Sequence, residues 1–155
     1  MLQHCGINLN DSKIKHVKFE GLDKDPITGT VYGASIPKEK AFDEMGDVLI
    51  AFKMNGVDIP ADFGFPIRVI VPGVIGARSV KWLKKISLSE EESTSFWQTN
   101  DYKVLPPSVK NLKEADFSKY TATQEMPVQS AICEPVNGAI IEKSDSSFTI
   151  KGYVS

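Results

Sequence analysis

Apolar residues along the chain recur mostly at a period of two or in short β-branched runs, the pattern of strands and loops rather than of long helices. Residues 16–20 (HVKFE) alternate apolar and polar, and Gly21 breaks the alternation, which predicts a strand running into a loop. Residues 25–29 (DPITG) carry turn chemistry, and 30–36 (TVYGASI) are short and β-prone. The best helix candidate is 37–45 (PKEKAFDEM), with Pro37 in its first turn and Gly46 as a stop. Residues 48–52 (VLIAF) have strand length, and Asn55-Gly56 is a strong tight-turn signal.

A β-branched run at 67–71 (IRVIV) ends at Pro72-Gly73 and predicts a buried strand entering a loop. Residues 80–88 mix two periods and read as a short turn into a strand, and 89–93 (SEEES) as the solvated start of a short helix holding Phe96 and Trp97. From 106 to 125 the chain is polar, contains Pro106-Pro107 and lacks any convincing period, so it reads as a linker. Beyond it, 127–132 and 147–154 are strand-like around a Gly138-containing turn, the opening of an all-β domain. Three segments follow: 1–105, a linker at 106–125, and 126–155. A β-sandwich needs about 100 residues, so the last segment is expected to be incomplete.

Composition narrows the classes. The chain has 155 residues, 41% hydrophobic and 25% charged, with a formal net charge of -2. That charge offers no electrostatic reason for nucleic acid or an anionic membrane as partner. No apolar run reaches the ~20 residues of a membrane helix, and the first residues lack the order of a signal peptide or the bias of a transit peptide. Cys5 and Cys133 lie far apart and outside any C-x-x-C spacing, and the two histidines, His4 and His16, are too few for a histidine metal site. No metal ligand is expected from these residues.

Three clusters carry candidate chemistry. A strand at 67–71 leads into a loop with Gly73 and Gly76 and then Arg78, Ser79 and Lys81, where glycines admit close backbone approach and the cations suit an anion such as phosphate. On spacing alone a tight turn with a solvated basic rim is the better reading, because the run is neither a phosphate-loop nor a dinucleotide fingerprint. Residues 20–23 (EGLD) offer a carboxylate to a ligand's N–H groups, or simply cap a turn. Residues 96–103 (FWQTNDYK) offer a flat aromatic wall with polar tips, or ordinary core packing. No Ser/His/Asp or Cys/His constellation can be assembled.

Taken in order, HVKFEGLD (16–23), YGASIP (32–37), FKMNG (52–56), GFPIRVIVPGVIGARSVKWLKKISL (64–88), FWQTNDYK (96–103), PPSV (106–109) and PVQSAI (127–132) resemble the sulfite oxidase family of molybdopterin enzymes. The resemblance implies an α+β, mostly β fold: the C-terminal portion of a molybdopterin-binding domain, then the first strands of an immunoglobulin-like β-sandwich that dimerises. It implies a molybdenum-molybdopterin cofactor, with Asp23 at the pterin and Arg68, Ser79, Val80 and Lys81 holding the cofactor. Tyr102 falls at the family's active-site tyrosine, beside the substrate anion. The implied reaction is oxidation of sulfite to sulfate by oxygen-atom transfer; nitrate reductases share much of the central motif and form the runner-up.

The same resemblance sets expectations for what this chain lacks. The family's molybdenum-binding cysteine and substrate arginines lie upstream of the matched segments, and no haem domain is encoded. Neither Cys5 nor Cys133 stands at the cysteine's place. A histidine usually precedes the GFP motif, and here that residue is Phe63, which cannot make its hydrogen bond. A truncated, non-catalytic module is therefore the alternative from a different class. Animal members imply the mitochondrial intermembrane space, and plant members the peroxisome.

Overall fold

The computed structural model describes residues 5–8, 10–27, 29–126, 128–141 and 147–154. The readings placed on His4, Thr28 and Pro127 lie outside the described residues. The chain divides into two units, 1–125 and 126–155.

In the first unit, strand β1 (His16–Lys24) is the centre of an antiparallel sheet, between β2 (Val31–Pro37) and β7 (Leu83–Ser89). The period-two pattern explains its inner face. Val17 lies opposite Ile36 on β2 and Leu88 on β7, and Phe19 opposite Ala34 and Ile86, so apolar side chains meet across both strand pairs. Val69, Val71, Val80 and Leu83 complete this core. Val69 belongs to β6 (Arg68–Ile70), which pairs antiparallel with β3 (Leu49–Ala51). Between these two strands, β4 (Lys53–Met54) and β5 (Val57–Asp58) form a hairpin. Asn55 (φ 53) and Gly56 (φ 83) make its turn, both left-handed as a two-residue hairpin of this kind requires.

Strand β2 is buried on both faces. Ala34 and Ile36 enter the core, while Ser35 is buried against α2 (Phe96–Thr99). Gln98, also buried, accepts from Ser35 N–H at 3.2 Å; Gln124 Nε2 donates to Ser35 O at 3.1 Å, and Ser93 N–H to Ser35 Oγ at 2.8 Å. These bonds tie Ser35 to three chain segments, while Gln124 Oε1 stays buried without a partner among the described residues.

Several expected elements change. Gly21 does not end its strand: β1 continues to Lys24 past a register shift, with Glu20 opposite Lys85 and Gly21 opposite Leu83. Glycine serves clearance there, since a Cβ would press on the Asp23 carboxylate and lie 3.0 Å from Lys81 O. The helix expected over 37–45 splits into α1 (Lys38–Phe42) and a 3-10 turn at Glu44–Gly46. Asp43 interrupts it with an extended backbone, and its carboxylate caps the next turn through Met45 N–H at 3.0 Å. Residues 89–93 do not begin a helix, because β7 runs through Ser89 and α2 starts only after Ser95.

The expected linker at 106–125 is grouped with the first unit, and its end is built into it. Thr123 N–H donates to Tyr102 O at 2.7 Å and Ile75 N–H to Gln124 O at 2.8 Å. Ala122 bridges to Lys103 and Glu125 to Val74, and Ala122 is buried. These pairings are long-range, so a segment with no period of its own gives no sign of them.

Among its described residues the second unit contains one antiparallel pair, β8 (Ser130–Glu134) and β9 (Lys151–Val154), with Lys151 Nζ 2.8 Å from Glu134 Oε2. Its strand residues are exposed.

The core predicts a contrast within one residue type. Ile36→Ala should cost about 2–5 kcal/mol of stability, whereas Ile27→Ala, at a site 91% exposed, should stay within about 0.5 kcal/mol; denaturant unfolding of both variants checks this.

Candidate functional site

Two chain segments lie side by side and present the first cluster. Val69 N–H donates to Val80 O at 2.8 Å and Leu83 N–H to Ile67 O at 2.9 Å, and Val71 N–H reaches Ser79 Oγ at 3.1 Å. Arg68 thereby comes beside Ser79, whose carbonyl accepts from Nη2 at 3.1 Å. Val80 contributes differently: its side chain is 1% exposed and belongs to the core, and its N–H donates to Arg78 O at 3.1 Å.

The cations converge on a 3-10 turn at Ala61–Phe63. Its successive carbonyls each take a side-chain donor: Trp82 Nε1 to Ala61 O at 2.9 Å, Lys81 Nζ to Asp62 O at 2.7 Å and Arg68 Nη1 to Phe63 O at 2.9 Å. Gly64 closes the turn at φ 112, and a Cβ there would stand 3.0 Å from Lys81 Cβ and 3.2 Å from Arg68 Cβ. The glycine therefore permits both the left-handed backbone and the close approach of two cationic side chains. Lys81 Nζ also lies 4.9 Å from the centre of the Trp82 ring, within cation–π range. Phe63 leaves its ring half exposed.

Two polar atoms of this region are buried and have no partner among the described residues: Arg68 Nε and Asp23 Oδ1. Burial pushes the Arg68 guanidinium below arginine's ordinary pKa, a shift that a bound anion would oppose. Asp23 is the penultimate residue of β1, at the strand end where the sequence placed it. Leu22 N–H donates to Trp82 O at 2.9 Å and fastens this stretch beside Lys81 and Trp82.

The aromatic cluster is the third component. Tyr102, at φ 52 and half exposed, is tied through its carbonyl to Thr123 N–H. Tyr32 donates to Ala77 O at 2.8 Å and packs on Trp97 with ring centres 4.6 Å apart. Burial, with smaller contributions from Tyr102, Asp23 and Asp101 against an opposing Arg78, pushes the Tyr32 hydroxyl up to about 12. One phenol thus senses residues from all three clusters. Arg78 differs most from its expected place on a solvated rim: it is 0% exposed and donates to Trp97 O and Thr123 O.

Sequence reasoning missed Tyr32, Trp82 and Thr123 as contributors. The partners of Tyr32 and Trp82 are backbone carbonyls, and Thr123 acts through its own backbone, so no residue-type pattern could have marked them. Among the described residues no group of three or more His, Cys, Asp or Glu could hold a metal ion, and Cys5 and Cys133 are free and exposed. No described helix is long and apolar enough to cross a membrane.

The family model described as "Oxidoreductase molybdopterin binding domain" matches residues 1–97. Mitochondrial sulfite oxidase of Mus musculus is 52% identical over 153 residues, 99% of this chain and 27% of that protein. The chain belongs to the sulfite oxidase family. Within this family of molybdopterin oxidoreductases it spans about a quarter of the mouse relative's length. Nitrate reductase [NADH] 2 of Phaseolus vulgaris is more distant, 35% identical over 162 residues, covering 99% of this chain and 18% of the enzyme. Among solved structures, the sulfane dehydrogenase SoxCD of Paracoccus pantotrophus superimposes with a TM-score of 0.60 at 29% identity, over 80% of this chain and 28% of that one. The mostly β molybdopterin-domain fold is thereby shared.

Two outcomes follow from the geometry. Gly64→Ala should separate Arg68 from Lys81 and strain φ, lowering stability by about 1 kcal/mol or more, read by thermal unfolding. Because the folded state holds Tyr32 at about 12 against an ordinary 10.0, its contribution is complete below the ordinary value and lost as pH rises through the folded one. Tyr32→Phe should flatten the fall in stability between those two values, measured by melting at a series of alkaline pH.

Proposed function

We propose that this chain forms the cofactor-holding part of a sulfite oxidase, catalysing SO3²⁻ + H2O → SO4²⁻ + 2H⁺ + 2e⁻. The observation that carries the reading is the pair of buried, unpartnered atoms, Arg68 Nε and Asp23 Oδ1, beside the Arg68–Ser79–Lys81 cluster. A donor on a cation and a lone carboxylate oxygen are complementary to a pterin bearing N–H groups at one part and a phosphate at another. The residues present therefore fit molybdenum-molybdopterin. When bound, the cofactor supplies the oxygen-atom transfer and the two-electron change.

The chain's own residues bind and orient. Arg68 and Lys81 neutralise the cofactor's anionic end, Ser79 holds the loop through its hydroxyl, and Val80 acts through packing rather than direct contact. Asp23 Oδ1 accepts from the pterin. Tyr102, half exposed, presents its hydroxyl to the substrate oxyanion and can donate or accept a proton there.

Sulfite is favoured over nitrate by the higher identity to the sulfite oxidase, and the same relative supports a mitochondrial location. Residues 126–155, with the exposed apolar strand positions Ile132, Tyr153 and Val154, are read as the opening of an immunoglobulin-like sandwich that completes a homodimer.

The test is to produce the protein at full length in a host that makes the cofactor, and to measure molybdenum content and turnover of sulfite and of nitrate. Molybdenum-dependent sulfite oxidation supports the reading. Bound molybdenum with nitrate turnover alone would replace it by the nitrate reductase reading, and neither metal nor turnover by the non-catalytic module. Tyr102→Phe should slow sulfite turnover roughly tenfold or more, the effect of losing about one charge-assisted hydrogen bond in the transition state.

A further inference from the structure

Tyr102 adopts φ 52 although it is not glycine, a backbone conformation that an L-residue adopts only where its surroundings impose it. Its carbonyl is held by Thr123 N–H at 2.7 Å, and the flanking Lys103 bridges to Ala122. The segment that holds Tyr102 is therefore 122–123, which carries no apolar period to keep it in place. Beside the Ile75–Gln124 hydrogen bond and the Val74–Glu125 bridge, a buried side-chain anchor for Thr123 is Arg78. Its Nε and Nη2 donate to Thr123 O at 3.1 and 2.9 Å, and its Nη1 donates to Trp97 O at 2.9 Å. The guanidinium thus clamps both sides of the loop containing Tyr102, residue 97 before it and residue 123 after it. Being 0% exposed, it holds these carbonyls without competition from water.

We infer that Arg78 is a positioning residue for Tyr102, acting through the Thr123 backbone. The inference rests on the proposed role of Tyr102 at the substrate. It also gives the geometry of the loop a physical origin: a planar fork of donors meets two carbonyls, which an ammonium group cannot reproduce. Lys103 adds a second fastening, with Nζ donating to Tyr120 O at 2.6 Å.

The experiment compares Arg78→Lys, Tyr102→Phe and their combination in the full-length protein, with turnover expressed per bound molybdenum so that cofactor loss drops out. Arg78→Lys should lower kcat about tenfold with a smaller change in KM, and should cost less than about twofold further when Tyr102→Phe is already present. A residue that merely supports the fold would slow the Tyr102→Phe protein by the same factor as the wild type, and that result overturns the inference. Hydrogen exchange, followed by mass spectrometry in peptides spanning 119–125, supplies a readout independent of turnover. Exchange at Thr123 should accelerate in Arg78→Lys, and unchanged protection there would likewise overturn the link.

Should Arg78→Lys not fold, Thr123→Pro removes the N–H that holds Tyr102 while leaving the carbonyl that Arg78 grips. It should reproduce the kcat loss and be silent beside Tyr102→Phe; an additive effect counts against the inference. A wild-type protein without sulfite turnover would sink the proposed function alone, since the exchange measurement still decides whether Arg78 holds Thr123.

Discussion

A buried guanidinium organises the first unit. Removing Arg78 from water is costly, and its carbonyl acceptors must offset that cost. They come from two distant places, Trp97 and Thr123, so the arginine can be buried only if both chain segments are drawn to it. Once they are, Trp97 packs on Tyr32, Gln124 reaches Ser35 O and Ile75 pairs with Gln124. The polar layer behind β2 and the pairing of 122–125 with the 74–78 loop are thus bound to one charge. Its burial lowers its own pKa, but a guanidinium keeps its proton far above physiological pH, so the clamp does not loosen by titration.

A second constraint shapes the face that binds. Short turns leave carbonyls without intrahelical partners; in the turn at Ala61–Phe63, Lys81 and Arg68 serve the carbonyls of Asp62 and Phe63, while Trp82 joins Gly64 N–H on Ala61 O. The cations are therefore already oriented before any anion arrives, an arrangement that lowers the ordering cost of binding. Arg68 keeps one buried N–H in reserve, and Asp23 keeps one oxygen. Gly64 and Gly21 are the two places where a side chain would intrude, one between Arg68 and Lys81 and the other against Asp23. Phe63 gives the turn a carbonyl but no polar side chain, so recognition on that side falls to the cations.

Much of this was legible from residue order. The alternation in 16–20, the β-branched run at 67–71 and Asn55-Gly56 each predict the element found, because local sterics and burial act on the same few residues. Helix boundaries and the segment 106–125 were not legible. Asp43 interrupts a helix by capping the next turn, and 122–125 are ordered by partners far away in sequence. For the site, Arg68, Ser79 and Lys81 were readable as a cluster because they fall close together around glycines. Arg78, in the same run, was readable only as another cation.

The sequence by itself determined the family, the mostly β character of the first unit and the identity of the cationic loop, because a long ordered motif and a period-two pattern survive without knowledge of contacts. Only the tertiary structure decided what each member of that loop faces. Lys81 and Arg68 turn to the carbonyls at 62 and 63, Val80 enters the core, and Arg78 turns inward to Trp97 and Thr123. Side chains adjacent in sequence point in different directions, and the acceptors they find are backbone oxygens. Those oxygens are common to every residue type, so residue identity carries no record of them.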